Sequence, residues 1–349
     1  MKSRIAILGA GAVGGYVGAH MARANEDVIL IDHYAEHVAY MQTQGLHISG
    51  PAARDNFSTK VDALQISDVQ RLSKERPIDF ALIAVKSYDT RWATELIKPY
   101  LASYGVVASI QNGINEDEIA DIVTWQRTLG VTVAGCGGIL HAPGHVRRSN
   151  ETAKGAVVFR SGEIHGRPTT RVQELARILS AADGSAVTNN LWGERWSKLV
   201  VNAMRMGPAS LTKINIPEQD RNDITRSLMV RLAAEAVRVG HALGYQLVKM
   251  QGIEAETFLR ADAGEPAAIE EIRTILFELA TRFTDNSMPS MAQDLAKGRR
   301  TEVDGIYGLI VRKGQEVGIA TPLNARILDL VNRLERGEIE PSLDVVRNL

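Results

Sequence analysis

The sequence predicts an α/β chain in two parts: an amino-terminal half built on a parallel sheet covered by helices, then an all-helical carboxy-terminal half. Three observations predict it. A strand–helix–strand pattern opens the chain, strands and helices go on alternating beyond it, and from Trp192 onward the pattern is long helices with few strand signals. The 349 residues agree with two domains, at roughly 150 residues each, and the change of character near Asn190 divides them into residues 1–189 and 190–349.

The elements follow in order. Arg4 to Leu8 is a short apolar run of the kind a buried parallel strand needs. A glycine-rich turn leads to a helix over about Ala12 to Ala24, and Asp27 to Ile31 is a second apolar run that ends at Asp32. Further strands are expected at Phe80 to Val85 and Gly105 to Ile110, with a helix over Thr90 to Leu101 between them. From Val131 to Val187 the pattern differs. Strand-like runs at Thr132 to Gly135, His145 to Arg148 and Ala156 to Phe159 are separated by turns rich in Gly, Pro, Ser and Asn, which suggests an antiparallel addition to the sheet. Asp223 to Leu243 and Ile269 to Thr284 are helical patterns of the second half.

Composition narrows the function. Hydrophobic residues make up 45% of the chain, enough for a core in both halves, and 40 basic residues face 41 acidic ones. That balance offers no excess of positive charge for a phosphate backbone, so nucleic acid is not expected as a partner. The single cysteine, Cys136, lies in the small-residue run Ala134-Gly135-Cys136-Gly137-Gly138. It can form no internal disulfide and no multi-thiolate zinc site, which fits a reducing compartment. Met1-Lys2-Ser3-Arg4 followed by an apolar stretch imitates a secretory signal. The glycines inside that stretch have phosphate-binding spacing instead, and no run approaches the roughly 20 apolar residues of a membrane span. The expectation is a cytoplasmic protein with no membrane partner and no metal.

Gly9-Ala10-Gly11-Ala12-Val13-Gly14 matches G-x-G-x-x-G, and it lies where that pattern has meaning, after a strand and at the start of a helix. Gly9 permits the tight turn, Gly11 lets a pyrophosphate approach the backbone, and Gly14 lets the helix pack on the strand. The free N–H groups and positive dipole end of the helix then face the phosphates. This makes the first half a Rossmann dinucleotide-binding domain. Asp32, 18 residues after Gly14, can accept hydrogen bonds from the adenosine ribose hydroxyls and repel a 2′-phosphate, which favours NAD over NADP. Alternatively, Asp32 caps the helix that begins near Tyr34, and the adjacent His33 can soften its charge.

Four further pieces fall in order along the chain: Val85-Lys86 after a strand, Gln111-Asn112-Gly113 after the next, Lys198-Leu199-Val200-Val201-Asn202 on a helix, and Arg300-Thr301-Glu302-Val303-Asp304 preceded by Ser290-Met291-Ala292-Gln293-Asp294. With the glycine fingerprint, this ordered set resembles the ketopantoate reductase (2-dehydropantoate 2-reductase) family over nearly the whole chain. The resemblance implies a Rossmann domain plus an all-helical domain, with the active site in the cleft between them. It also implies hydride transfer from NADPH to the 2-oxo group of 2-dehydropantoate, giving pantoate for pantothenate biosynthesis. By the same resemblance Lys198 is the general acid, Asn202 binds substrate, and Asn112 stands at the cofactor–substrate junction. Ser290 binds the substrate carboxylate, Glu302 holds its hydroxyl end, and Lys86 lies near the adenosine ribose.

Each of these residues has a plainer reading. Lys198 can be a solvated helix lysine, although Trp196, Leu199, Val200 and Val201 around it are apolar. Asn202 can be a core amide, Gln111-Asn112-Gly113 an ordinary turn, and Ser290 with Gln293 a capping box. Thr301 with Asp304 is a helix-start signal that would leave Glu302 as a first-turn acid, and Lys86 can pair with Asp32. Two departures from the family pattern bear on substrate and cofactor. Met206 stands four residues beyond Asn202, where the family has another substrate-contacting asparagine, and Asp32 stands where its NADPH enzymes have a basic or small polar residue. Arg205 can supply charge in place of the missing asparagine, but from another helix face. The chain also carries a charged tail from about Arg336.

The leading expectation, implied by the resemblance, is an NAD(P)-dependent reductase of ketopantoate (2-dehydropantoate). The alternative is a same-family NAD-dependent enzyme acting on a different 2-oxo or 2-hydroxy acid or secondary alcohol. A non-catalytic dinucleotide sensor would have lost the Lys198, Asn202 and Glu302 set. A P-loop protein would need G-x-x-x-x-G-K-[ST] in the first turn, and a zinc dehydrogenase more thiolates and ordered histidines. Apolar helices of the second half can bury a homodimer interface or the domain's own core.

Overall fold

The computed structural model describes residues 2–149, 151–153, 155–284, 287–347 and 349. They form two compact units, Met1–Leu191 and Trp192–Leu349.

The first unit is organised by an eight-stranded sheet in the order β12-β11-β8-β7-β6-β1-β2-β5. The strands are β1 (Arg4–Leu8), β2 (Asp27–Asp32), β5 (Asp62–Gln65), β6 (Ile78–Ile83), β7 (Leu101–Ser109), β8 (Thr128–Val133), β11 (Phe159–Glu163) and β12 (Ser185–Thr188). From β8 to β5 every pairing is parallel. The central strand shows why its sequence is apolar at every position. Ile5 and Ile7 face a core that includes Val17 and Met21 of helix α1 (Ala12–Arg23), whereas Ala6 and Leu8 face one that includes Ala93 and Ile97 of helix α3 (Thr90–Ile97). Both faces of the sheet are thus covered, as crossover helices require. Helices α2 (Ala35–Gln44), α4 (Glu116–Val123) and α5 (Thr170–Leu179) complete this unit.

The region expected to be an antiparallel addition divides in two. β11 does run antiparallel to β8, but β8 begins at Thr128 and is itself parallel to β7. His145–Arg148 forms β10, which lies outside the main sheet in a separate four-stranded sheet ordered β4-β3-β10-β9, with β3 (Leu46–Ser49), β4 (Phe57–Thr59) and β9 (Gly138–Ala142). The cause is packing. Val146 is fully buried within van der Waals reach of Gly15 on α1, and Arg148 is pulled inward to Asp183, 2.7 Å away. The helix expected to reach Leu101 ends at Ile97. Pro99 lies in a short 3₁₀ turn and Leu101 already belongs to β7, because proline has no N–H with which to continue the helical ladder.

The second unit is helical: α6 (Leu191–Thr212), α7 (Ile216–Arg221), α8 (Asp223–Ala242), α9 (Ala255–Asp262), α10 (Pro266–Ala280), α11 (Ser290–Ala296), α12 (Leu309–Glu316), α13 (Pro322–Glu335) and α14 (Leu343–Arg347). Helix α8 is its centre, with α7, α9, α12, α13 and α14 packed on it. Helix α6 is joined to it where the Trp196 indole donates to the Ala236 carbonyl at 2.8 Å. A side chain at Gly240 would lie 2.6 Å from that indole, so this glycine is what permits the close approach. The buried Glu235 carboxylate caps α13 by accepting from the Leu323 and Asn324 amides, both at 2.9 Å. The charged tail ends in α14, which docks on α8 with Val346 buried.

Candidate active site

In the first unit every predicted cofactor residue lies at a carboxyl end of the parallel strands, where open α/β sheets bind ligands. The Gly9–Gly14 loop follows β1, Asp32 ends β2, Lys86 follows β6 and Asn112 follows β7. The three glycines have separate duties. Gly9 has φ +98°, and a Cβ there would lie 2.7 Å from the Val85 amide nitrogen. A Cβ at Gly14 would lie 1.9 Å from the Gly9 carbonyl oxygen, so only glycine lets α1 lie this close to the strand. At Gly11 a Cβ would meet nothing within 4 Å, which leaves open space in front of the loop. Gly11 is also the N-cap of α1, with no side-chain cap and no acidic residue in the first turn. The amides of that turn therefore stay available to an anionic group, and the residues present fit a dinucleotide pyrophosphate.

Asp32 is held by two backbone amides. One carboxylate oxygen accepts from the Ala10 amide at 2.6 Å and the other from the Tyr34 amide at 2.8 Å. The side chain thus fixes the glycine loop and steers the chain into α2, whose N-cap is Tyr34. Carboxylate oxygens have further lone pairs, so these contacts leave acceptor capacity. The loop is held from the other side by His37, which the sequence reading did not identify. Gly144 N–H donates to its Nδ1 at 2.8 Å, so Nε2 carries the proton and donates to the Ala10 carbonyl at 2.9 Å. Among the described residues Asp32 meets these two amides and the neighbouring His33 ring, and not Lys86. Beside Asn112, the Gln111 amide donates to the Val85 carbonyl and to Thr90 Oγ1, both at 2.9 Å, tying β7 to the end of β6. Asn112 is partly exposed in this braced turn, its carbonyl accepting from Asn115.

In the second unit Lys198 and Asn202 project from one face of α6. Lys198 is partly buried, and no hydrogen bond or ion pair holds its ammonium among the described residues. Burial, reinforced by the nearby Arg205 guanidinium, brings its pKa from the ordinary 10.5 down to about 8. Asn202, Met206 and Glu302 are buried. Arg205 does not stand in for the missing asparagine: it turns to Asp220 at 2.8 Å and to Gln251 at 2.9 Å. Ser290 is partly exposed as the first residue of α11, whose N-cap is Pro289. The capping box read there does not form, because Gln293 donates to the Met288 carbonyl instead. At the other predicted helix start, Thr301 Oγ1 accepts from the Val303 amide at 3.3 Å, with Glu302 between them.

The turn after Glu302 contains a residue that the sequence reading missed. Asp304–Gly308 is a π-helical turn, and Tyr307 on it is fully buried. Its hydroxyl accepts from the Gly207 amide at 2.6 Å and donates to the Ala203 carbonyl of α6. Pro208 inside α6 is a local sign of an interrupted ladder. Nothing local could say which side chain meets the interruption, because Tyr307 lies 100 residues away in sequence.

The chain is similar to known proteins along most of its length. The family model described as ketopantoate reductase PanE/ApbA matches residues 5–162, and the model of its C-terminal domain matches residues 190–335. A 2-dehydropantoate 2-reductase of Archaeoglobus fulgidus is 30% identical over 96% of this chain and 98% of its own. A PanE/ApbA family ketopantoate reductase of Ralstonia eutropha, known from its crystal structure, has a TM-score of 0.76 and 29% identity, covering 96% of this chain and 99% of its own. The fold is shared as well by D-mandelate dehydrogenase in its structure with NADH and anilino(oxo)acetate, at a TM-score of 0.78 and 22% identity over 97% of this chain and 100% of that one. The two matched domains account for most of the sequence, and the chain is an oxidoreductase that belongs to the ketopantoate reductase family.

Proposed function

We propose that this protein reduces the 2-oxo group of 2-dehydropantoate to the alcohol, using a nicotinamide dinucleotide seated on the Gly9–Gly14 loop. The observation that carries the reading is Lys198, a partly buried ammonium with no hydrogen bond or ion pair among the described residues and its pKa brought to about 8, on the same helix face as a buried amide, Asn202. A general acid works best when its pKa lies near the operating pH. An ammonium also stabilises the negative charge that develops on the carbonyl oxygen. The dinucleotide supplies the hydride, and Lys198 supplies the proton to the oxygen. Asn202 and Asn112 orient the substrate, Ser290 takes its carboxylate, and Glu302 its hydroxyl end. Gly9 to Gly14 hold the pyrophosphate, with Asp32 and Lys86 toward the adenosine ribose.

Two observations favour a second reading, with the same chemistry and a different substrate. Met206 puts a deformable apolar side chain where the family has an amide, and a site that loses a hydrogen-bonding group redirects its preference. Asp32 ends β2, and a carboxylate at that strand end, turned toward an adenosine ribose, favours NAD. On this reading the substrate is a bulkier or more apolar 2-oxo acid, or the matching 2-hydroxy acid. Turnover of 2-dehydropantoate by the purified protein, measured with NADH and NADPH at equal concentration, separates the two. Rapid reduction with either cofactor supports the first reading. Tight dinucleotide binding with turnover of other 2-oxo acids only supports the second.

A further inference from the structure

A proline inside α6 removes one backbone donor from the ladder and pushes against the carbonyl four residues earlier. Three hydroxyls serve the disturbed stretch. Ser210 and Thr212 each donate back to the carbonyl four residues earlier, at 2.8 and 2.7 Å. The third comes from outside the helix. Tyr307 accepts from the Gly207 amide and donates to the Ala203 carbonyl, the two groups that an uninterrupted helix would join to each other. Burial keeps the phenol protonated by pushing its pKa upward, so its proton always points to the carbonyl. Gly207 is part of the device: a Cβ there would lie 2.4 Å from the Tyr307 hydroxyl.

We propose that Tyr307 is a positioning residue for the substrate pocket, its hydroxyl spliced into the Ala203–Gly207 turn so that the spacing of Asn202 and Met206, and the seat of the Glu302 segment, are set together. Asn202 immediately precedes the spliced turn and Met206 lies within it. Glu302 immediately precedes the helical segment that carries Tyr307, and its own carbonyl accepts from Ile306 at 3.1 Å. One hydroxyl therefore joins the two segments that carry three of the proposed pocket residues. π-Helical turns inserted in helices recur at functional sites because they re-aim side chains. Here the turn aims Tyr307 at the backbone of α6.

This inference rests on the proposed function and is tested by Tyr307→Phe in the full-length protein. The ring is kept, and the Gly207 amide can close directly on the Ala203 carbonyl, so folding should be little affected while the turn tightens. Displacements of about 1 Å in a reacting geometry cost up to about 100-fold in rate. We expect kcat/KM for the 2-oxo acid to fall about 10- to 100-fold, with the dissociation constant for the reduced dinucleotide within about twofold of wild type. Gly207→Ala approaches the same contact from the other side and should give the same split. A variant with wild-type kcat and KM for the 2-oxo acid and only a lower melting temperature would make the hydroxyl merely structural and overturn the inference. Equal loss of dinucleotide affinity would overturn it too. If the wild-type protein turned over no 2-oxo acid at all, the proposed function itself would fail, and this inference with it.

Discussion

Replacing Lys198 with methionine should move stability and activity in opposite directions. The side chain keeps most of its apolar stem and loses an ammonium that is partly buried and has no partner among the described residues. Its pKa falls from 10.5 to about 8 on folding, because burial disfavours the charged form. At about 1.36 kcal/mol per pH unit, this corresponds to a folding cost of up to roughly 3 kcal/mol below pH 8. The sign follows from proton binding. Between about pH 8 and 10.5 the unfolded chain binds more protons at Lys198 than the folded one, so the wild-type protein should gain stability as pH rises through that window. Lys198→Met should lack this rise and be more stable at neutral pH by up to about 3 kcal/mol, read from urea unfolding. Loss of a general acid should meanwhile lower kcat by about 10²- to 10⁴-fold, followed by the absorbance of the reduced nicotinamide. A variant that kept its turnover, or that was no more stable than wild type and had the same pH slope, would refute the reasoning.

Other consequences can be checked separately. In the wild-type protein, kcat/KM for ketone reduction should fall as pH rises above about 8, and the oxidative direction should gain over the same range, since one needs Lys198 charged and the other needs it neutral; a pH profile in both directions reads this. Asp32→Ala removes the acceptor for the Ala10 and Tyr34 amides and should weaken NADH binding by about 10-fold or more, with a smaller effect on NADPH, by fluorescence titration. Gly14→Ala would place a methyl group 1.9 Å from the Gly9 carbonyl and should cost about 1–3 kcal/mol or more and abolish dinucleotide binding. Asp183→Ala removes the carboxylate 2.7 Å from the buried Arg148 guanidinium, leaving it the Asp55 carboxylate at 4.0 Å, and should cost up to about 3–5 kcal/mol in denaturant unfolding.

What could be read in the sequence was what local rules determine. The Gly9–Gly14 turn, the apolar runs of β1 and β2 and the long periodicities of α8 and α10 each carry their pattern within a dozen or two residues. The shared face of Lys198 and Asn202 was legible because residues four apart on a helix stand one above the other, whereas their proposed roles came from the family resemblance. The tertiary structure decided what depends on distant partners. His145–Arg148 had the pattern of a strand, but the packing of Val146 against α1 and the pull of Asp183 on Arg148 put it in a second sheet. Asp32 could be read as a ribose ligand or as a cap, and the fold uses its two oxygens to hold the glycine loop and start α2. Tyr307 had no signal of its own. A buried hydroxyl is defined by the donor and acceptor it meets, and those lie on a helix 100 residues earlier, brought to it only by the folded chain.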